Sequence, residues 1–336
     1  MKFLPLLISV ILTVGVAVAM TPEARQSFEA FERRAESGDA EAQFRLSAIL
    51  EKGYDSIPAD TARSLRLLRL SASQGYAPAQ NYLGFLYSRG ELLTANRDSA
   101  LYWIRRAADG GDAKAAHNLA YMILNGDRLT GEQDDTLALV YLERATEAGL
   151  PQSMTMLARI YEEGRLVEAD TLRAVDLYER AIGKGFGDAQ VRLLNLKGPE
   201  WKYLSSEQSL AEALRYWAMG AYTISTELAE QVGPADTQTA RAYALLGHAY
   251  SRGLGVPYDH KRANEYFARA ALMGNPAARF IIAETLEIFP DALSYLFPAH
   301  SLPAAMTPAA LRATAAAAGI TTAEQAVAAI TAPLHN

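Results

Sequence analysis

The segment GYAPAQNYLGFLY, residues 75–87, contains a pattern that returns along the chain. Counted from Gly75, which we call the mark, an alanine lies at position 4, a leucine at position 8, a small residue at position 9 and a tyrosine at position 12. The pattern recurs, completely or in part, after six further marks: Gly38, Gly111, Gly149, Gly185, Gln238 and Gly274. The spacings between successive marks are 37, 36, 38, 36, 53 and 36 residues. A period of this length indicates a repeat array.

Each repeat is predicted to contain two helices, A and B. At 100° per residue, positions 4, 8 and 12 lie within about 40° of one another, so they form one buried stripe on helix A. The small residue at position 9 lets helix B approach closely. Helix B follows an aspartate or asparagine that can cap its first turn. These predicted N-caps are Asp60, Asn96, Asp134, Asp170 and Asp259. The aromatic residues expected on the packing face of helix B are Tyr102, Trp103, Tyr141, Tyr178, Tyr266 and Phe267.

The stretch from Ala242 to Gly274 carries a family resemblance. Its Leu246-Gly247 pair, its loop glycines and its Tyr266-Phe267 pair resemble the Sel1-like repeat family, a relative of the tetratricopeptide repeats. The resemblance covers roughly residues 28–288. It implies an all-α fold, a right-handed α-solenoid superhelix of about six helix-turn-helix repeats with capping helices. It also implies an exported bacterial adaptor or scaffold.

Four regions are predicted along the chain. Residues 1–19 read as a signal peptide, 20–37 as an N-terminal capping helix and 38–288 as the repeat array, with an insertion at about 197–237. Such an insertion either carries binding specificity or is a neutral change of length. Residues 289–336 read as a C-terminal cap with an alanine-rich tail, for which we expect loose attachment.

The N-terminus has the layout of a secretory signal. Lys2 precedes the apolar run Phe3–Val16 and the small residues Ala17-Val18-Ala19, which predicts cleavage between Ala19 and Met20. The alternative is an uncleaved anchor, although the run is shorter than the ~20 residues that a membrane-spanning helix needs. We therefore expect a periplasmic or secreted protein with no stable membrane span after cleavage.

Composition excludes several classes of protein. The formal net charge of −6 argues against a nucleic-acid-binding protein, which would show a basic stripe. Because the chain has no cysteine, it has no disulfide, thiolate zinc site or lipid-modified N-terminal cysteine. The lack of disulfides departs from exported Sel1-like proteins that carry one per repeat, which weakens a role in β-lactam binding.

Catalytic and metal motifs are not found in the sequence. None of the five histidines has another histidine three or four residues away, and no HExxH, GxSxG, P-loop or GxGxxG motif occurs. Asp134 of the Asp134-Asp135 pair is explained as an N-cap, and Glu162 and Glu163 are expected to be solvated charges. We therefore expect no enzyme, no metal site and no cofactor.

The remaining candidate is a binding surface. Positions 3, 6, 10 and 13 of helix A lie opposite the buried stripe, and in tetratricopeptide-like stacks helix A lines a concave groove. These positions are unusually apolar and aromatic in the first three repeats. The predicted partner-binding residues are Phe44, Asn81, Phe85, His117, Tyr121, Arg159 and His248. The alternative is that these side chains simply pack between repeats.

Together these features favour an exported adaptor that holds a protein partner, such as an envelope sensor or assembly component. Two other hypotheses stay open. One is a protein that binds or hydrolyses cell-wall material, peptidoglycan or a β-lactam, in the same groove. The other is a scaffold of a polysaccharide-export complex.

Overall fold

A computed structural model describes residues 22–54, 57–125, 135–234, 238–289 and 307–334. Within these ranges the chain forms seventeen α-helices and no β-strand, which confirms the predicted all-α fold. The chain divides into two compact units, residues 1–153 and 154–336. The predicted signal peptide with its cleavage site and the capping residue Asp134 lie outside the described residues.

The first unit begins with a single helix, α1, followed by A and B helices in alternation. These helices are α1 Pro22–Glu36, α2 Ala40–Lys52, α3 Thr61–Ser73, α4 Ala77–Arg89, α5 Arg97–Asp109, α6 Ala113–Leu124 and α7 Asp135–Glu147. Helix α1 packs Phe28 and Phe31 against the core of the first repeat, which contains Leu46 and Leu50.

Helix α8, Pro151–Glu163, crosses the boundary between the units. The second unit continues with α9 Thr171–Gly183, α10 Asp188–Trp201, α11 Ser206–Ala218, α12 Tyr222–Glu230, α13 Thr239–Arg252, α14 His260–Leu272, α15 Pro276–Ile288, α16 Pro308–Ala317 and α17 Ala323–Thr331. The described helices therefore include six A–B pairs, α2–α3 to α10–α11 and α13–α14.

The marks are the points where the chain turns into helix A. All six glycine marks have φ between +81° and +100°, a left-handed conformation that disfavours residues with a Cβ. Gly75, for example, donates its N–H to the Ala72 carbonyl oxygen and ends the preceding helix. Gln238, the mark that is not glycine, has φ −85°.

The predicted N-caps of helix B are confirmed wherever they are described. Asp60, Asn96, Asp170 and Asp259 each accept a hydrogen bond, 2.8–3.0 Å long, from the N–H group three residues later. A cap of this kind typically stabilises a helix by about 1 kcal/mol.

Small residues at position 9 allow close contact within a repeat. A Cβ on Gly84 would lie 2.5 Å from the Ile104 side chain and 3.0 Å from the Ala100 carbonyl oxygen. A Cβ on Gly247 would lie 2.8 Å from the Phe267 ring. Helix B therefore approaches helix A as the pattern predicts.

One aromatic position was predicted wrongly. Tyr102 is 53% exposed, whereas Tyr141, Tyr178 and Phe267 are buried as expected. The buried stripe of α5 runs through Ala100, Ile104 and neighbouring small residues, and Tyr102 lies about 200° away from each of these two. Tyr102 instead packs against Arg106 on the surface of the helix.

Tyrosine hydroxyl groups link neighbouring helices through carboxylates. Tyr82 donates to Glu51 at 2.5 Å, Tyr141 to Asp109 at 2.7 Å and Tyr216 to Glu179 at 2.7 Å, each joining adjacent repeats. Tyr178 donates to Glu162 at 2.5 Å, so this carboxylate is not the simple solvated charge that its sequence suggests.

The predicted insertion contains an additional mark. Gly220 has φ +76°, and Ile224, Leu228, Ala229 and Val232 follow it at positions 4, 8, 9 and 12, all of them buried. The first three of these residues lie in α12, which occupies the place of a helix A, and Val232 follows its C-terminal end. The pattern after Gly220 is visible in the sequence.

The irregular spacing follows from α12. Gly220 lies 35 residues after Gly185, one ordinary period, and Gln238 follows 18 residues later. In the described part of this short interval there is only the nine-residue helix α12 and no helix B. The interval of 53 residues is therefore one full repeat followed by half of another.

The C-terminal tail is not loosely attached, contrary to the expectation from sequence. Helices α16 and α17, joined by a short turn and called here the C-terminal hairpin, both pack against α15. Its buried apolar side chains are Leu311, Ala315, Ile320, Ala326 and Ile330. Alanine allows helices to approach closely, so a few larger side chains are enough to fill the contact. The apolar segment Leu293–Phe297, expected to cover the last repeat, lies outside the described residues.

Candidate partner-binding cleft

Three aromatic side chains form one wall of a cleft in the first unit. The Tyr82 ring centroid lies 6.3 Å from that of Phe44, edge to face, and 6.1 Å from that of Phe85, nearly parallel. Tyr82 and Phe85 are three residues apart on α4 and so lie on neighbouring parts of its surface. Phe85 is 44% exposed, so its ring remains accessible from solvent.

The hydroxyl group of Tyr82 is fixed by its hydrogen bond to Glu51. Burial, followed by this hydrogen bond and the Glu51 charge, raises the pKa of Tyr82 above its usual value. The hydrogen bond to Glu51 thus fixes the orientation of the Tyr82 ring in the aromatic wall.

A chain of polar groups crosses the cleft from one repeat to the next. The Asn118 side-chain N–H donates to Asn81 Oδ1, and the Asn81 N–H donates to Asp112 Oδ1, both at 3.3 Å. Asp112 also caps α6 by accepting the Ala115 N–H at 2.7 Å. These bonds hold the two asparagine amides in place, and each amide retains an N–H without a partner among the described residues.

The aromatic wall and the polar chain enclose a cleft of about 700 Å³. Its lining residues are Phe44, Pro78, Asn81, Tyr82, Phe85, Asp112, Ala113, Lys114, Asn118, Ala148, Gly149 and Leu150. Lys114 is exposed, and its ammonium group has no ion-pair partner in the part of the chain that the structure describes. The cleft thus combines apolar surface, amide donors and one available positive charge.

Phe44, Asn81 and Phe85 were predicted as binding residues and are brought together here. Tyr82 and Asn118 were missed because both lie at position 7, about 80° from the centre of the predicted row. Asp112 was missed because its N-cap position belongs to a loop. A search that included position 7 would have found Tyr82 and Asn118.

His117 and Tyr121 lie on α6 but do not line the cleft. His117 Nδ1 is 3.0 Å from Ser153 Oγ, and burial lowers the pKa of the imidazole below its usual value. Tyr121 is 55% exposed. The row predicted from sequence therefore does not continue as one lining surface beyond the second repeat.

Arg159 and His248 belong to the second unit. Arg159 Nη2 lies 3.4 Å from Glu163 on the same exposed helix face. The His248 ring centroid lies 5.5 Å from that of Trp217, and burial, together with the nearby charge of Arg252, lowers the pKa of this histidine. His248 is thus a packing residue between helices α11 and α13.

The cleft has the groups of a binding site. Asp112, the only carboxylate among its lining residues, is engaged as an N-cap, and no histidine lines it.

In the described ranges, no group of three histidine or acidic residues is arranged to hold a metal ion. None of the helices described is long and apolar enough to span a membrane.

Comparison with known proteins adds a family match. The model of the Sel1 repeat matches residues 40–76, 77–112, 113–150, 151–186 and 240–275, together more than half of the chain. The stretch between the fourth and fifth matches, residues 187–239, contains α10, α11 and α12. No curated protein matches the chain significantly.

Several solved structures are similar. A protective antigen of uropathogenic Escherichia coli with an SLR fold is 22% identical over 89% of this chain, which spans 57% of the antigen (TM-score 0.47). A Sel1 repeat protein from Oxalobacter formigenes is 37% identical over 40% of this chain and 98% of its own length (TM-score 0.37). An immunity protein from Pseudomonas aeruginosa is 16% identical over 88% of this chain and 83% of its own length (TM-score 0.32).

Proposed function

Because the chain belongs to the Sel1 repeat family, whose members are generally scaffolds for protein–protein interaction, we propose that its first unit holds a segment of a partner protein in the cleft. The family's repeat fold is typically non-catalytic, which agrees with a binding role. The partner we favour is an envelope sensor or an envelope-assembly component.

The observation that carries this proposal is the exposed aromatic wall beside fixed polar groups. Phe85 is partly exposed next to Phe44 and Tyr82, with the Arg89 guanidinium over its ring. Asn81 and Asn118 are held in position at the edge. Protein interfaces typically have an aromatic centre that is desolvated on binding and a polar rim. Because both parts are already ordered, little conformational entropy is lost when a partner binds.

The lining residues also indicate what the partner segment presents. An apolar side chain would pack on Phe44 and Phe85, and backbone carbonyl groups would accept the remaining N–H groups of Asn81 and Asn118. A carboxylate of the segment would pair with Lys114. A segment with an apolar residue close to an acidic one would make all three contacts: with the aromatic rings, with the asparagine amides and with Lys114.

We further propose that binding takes place outside the cytoplasm, in the periplasm or after secretion. The support is the signal-like sequence of residues 1–19. We expect intact-mass analysis of the protein from fractionated native cells to show a chain that begins at Met20, in the periplasmic or extracellular fraction. A chain that begins at Met1 and stays with the membrane or cytoplasm would contradict this.

Substitution of Phe85 separates binding from folding. Phe85→Ala should leave the melting temperature nearly unchanged, because the ring is exposed, but should weaken partner binding about 30-fold, the equivalent of about 2 kcal/mol at an interface hot spot. Leu83→Ala, two residues away and buried, should instead lower the free energy of unfolding by about 2–5 kcal/mol. If both variants melt alike, Phe85 is a packing residue and the cleft is not a binding site.

Photo-crosslinking in native cells provides the direct test. A photoreactive phenylalanine at position 85 should give a discrete crosslinked product. The same group at position 102 is the matched control, because Tyr102 is an exposed aromatic residue on helix B of the same repeat. Equal products from both positions, or a product from position 102 alone, would contradict the assignment of the cleft.

A further inference from the structure

The C-terminal hairpin lies on the face of helix A that was predicted to bind a partner. In the last repeat, positions 3, 6, 10 and 13 after Gly274 are Ala277, Phe280, Glu284 and Glu287. The hairpin contacts this face of α15, where Ala277 and Phe280 are buried. The corresponding positions in the first unit include Phe44, Asn81 and Phe85 of the cleft.

Two arginines orient the hairpin. Arg312 of α16 lies over the Phe280 ring, with its guanidinium carbon 5.7 Å from the centroid, and forms ion pairs with Glu284 and Glu287. Whereas Arg312 belongs to the hairpin, Arg241 belongs to helix α13 of the array. It donates to the Ala332 carbonyl oxygen at the C-terminal end of α17. That end carries the negative pole of the helix dipole, which favours a cation.

The hairpin extends beyond the last repeat. Helix α17 contacts α15, α13 and α11, so it crosses elements of several repeats. A cap would need to cover only the exposed end of the array. Lying across the A helices α13 and α15 on this face is instead how a bound segment lies in a repeat protein.

The contact between the hairpin and the array combines few large side chains with solvent-exposed ion pairs. Its large apolar side chains are Leu311, Ile320 and Ile330, and the rest of the buried hairpin surface comes from alanine. Arg312 and its two glutamates are each more than a third exposed, so solvent and salt weaken these ion pairs. Arg241 Nε is buried without a hydrogen-bond partner among the described residues, so the hairpin does not satisfy this arginine fully.

We propose that the C-terminal hairpin is an exchangeable resident ligand of a second binding face, formed by α13 and α15, and that a helical segment of a partner protein takes its place. The incoming segment has a face of small side chains, an arginine that meets Glu284 and Glu287, and a helix C-terminus or carboxylate that meets Arg241. This second face is independent of the cleft in the first unit.

Hydrogen exchange in the full chain tests whether the hairpin opens by itself. In the wild type, the amides of residues 308–331 should exchange faster than those of α13 and α15, because the hairpin leaves while the repeats stay folded. Arg312→Glu should accelerate exchange in the hairpin at least about tenfold and leave α13 and α15 protected. Arg180→Glu, the same charge change at an exposed i,i+4 ion pair, should change nothing in the hairpin.

Exchange with a free ligand is tested by a labelled synthetic peptide of residues 307–334. Its fluorescence anisotropy should show binding to the full-length Arg312→Glu protein at least about tenfold tighter than to the wild type, whose own hairpin competes. The same peptide with Arg312→Glu should bind neither protein.

The proposal is overturned if hairpin and repeat amides exchange together, if Arg312→Glu unfolds α13 and α15, or if the wild-type peptide binds neither protein. The hairpin would then be a fixed part of the core.

Discussion

Replacing Gly255 by alanine is expected to lower the free energy of unfolding of the second unit by about 2–5 kcal/mol. Gly255 has φ +74°, and a non-glycine residue in the left-handed region costs about 1–2 kcal/mol. A Cβ there would also lie 2.3 Å from the carbonyl carbon and 2.4 Å from the carbonyl oxygen of Tyr222. Both atoms belong to the backbone of α12 and cannot move aside as a side chain can, so overpacking adds about 1–3 kcal/mol.

Gly185→Ala is the matched control for this prediction. Gly185 also has a positive φ, +81°, but a Cβ on it would meet no atom within 4 Å. This substitution should therefore cost only the backbone term of about 1–2 kcal/mol. Urea unfolding followed by circular dichroism measures both variants. Equal losses in the two would show that Gly255 does not lie tightly against α12.

Truncation of Tyr216 to alanine should lower the free energy of unfolding by about 3–5 kcal/mol, the range for removing a large buried aromatic side chain. Tyr216 is almost completely buried, and its ring centroid lies 5.4 Å from that of Trp201. The guanidinium carbon of Arg215 lies over the ring, 4.2 Å from its centroid. Its hydroxyl group donates to Glu179 of the preceding repeat. Thermal and urea unfolding should both show the loss.

Tyr216→Phe removes the hydroxyl group alone and should cost about 1–3 kcal/mol, because the bond is made to a charged acceptor. Burial by itself would raise the pKa of Glu179, but hydrogen bonds from Arg215 and Tyr216 outweigh it and hold the pKa below its usual value. The stabilisation is therefore present above about pH 4.3 and is lost as the pH falls through the lowered value. The difference between wild type and Tyr216→Phe should shrink over that acidic range. A difference that is unchanged by acid would mean that the Glu179 charge is not the acceptor.

The repeat pattern predicted most of the backbone because each recurring position in the pattern has a local physical cause. Glycine marks adopt positive φ, and Asp60 and Asn96 cap helices through their own side chains. Gly84 admits helix B because it lacks a Cβ. Each of these properties depends on neighbours within a few residues or within one repeat, so the sequence contains the necessary information.

The parts that the sequence did not predict depend on contacts between distant segments. The mark at Gly220, one ordinary period after Gly185, was missed because the next recognised mark, Gln238, follows only 18 residues later. Docking of the C-terminal hairpin was missed because its alanines give little hydrophobic periodicity, and Arg312 and Glu284 are far apart in the chain. In the cleft, the phase of helix A predicted Phe44, Asn81 and Phe85, but the hydrogen bonds that place Asn118 and Asp112 beside them join different repeats.

Helix α12 also determines how mutational effects combine in the second unit. In a regular array each repeat touches only its neighbours, so energetic changes in separate repeats nearly add. At α12, the Trp217 ring lies 4.8 Å from that of Tyr222 and 5.5 Å from that of His248, while the loop at Gly255 contacts the Tyr222 backbone. Substitutions at these sites share partners and are therefore coupled, not additive. One half-repeat thus joins its neighbours into a single cooperative segment. The second unit therefore has fewer independent energetic units than repeats.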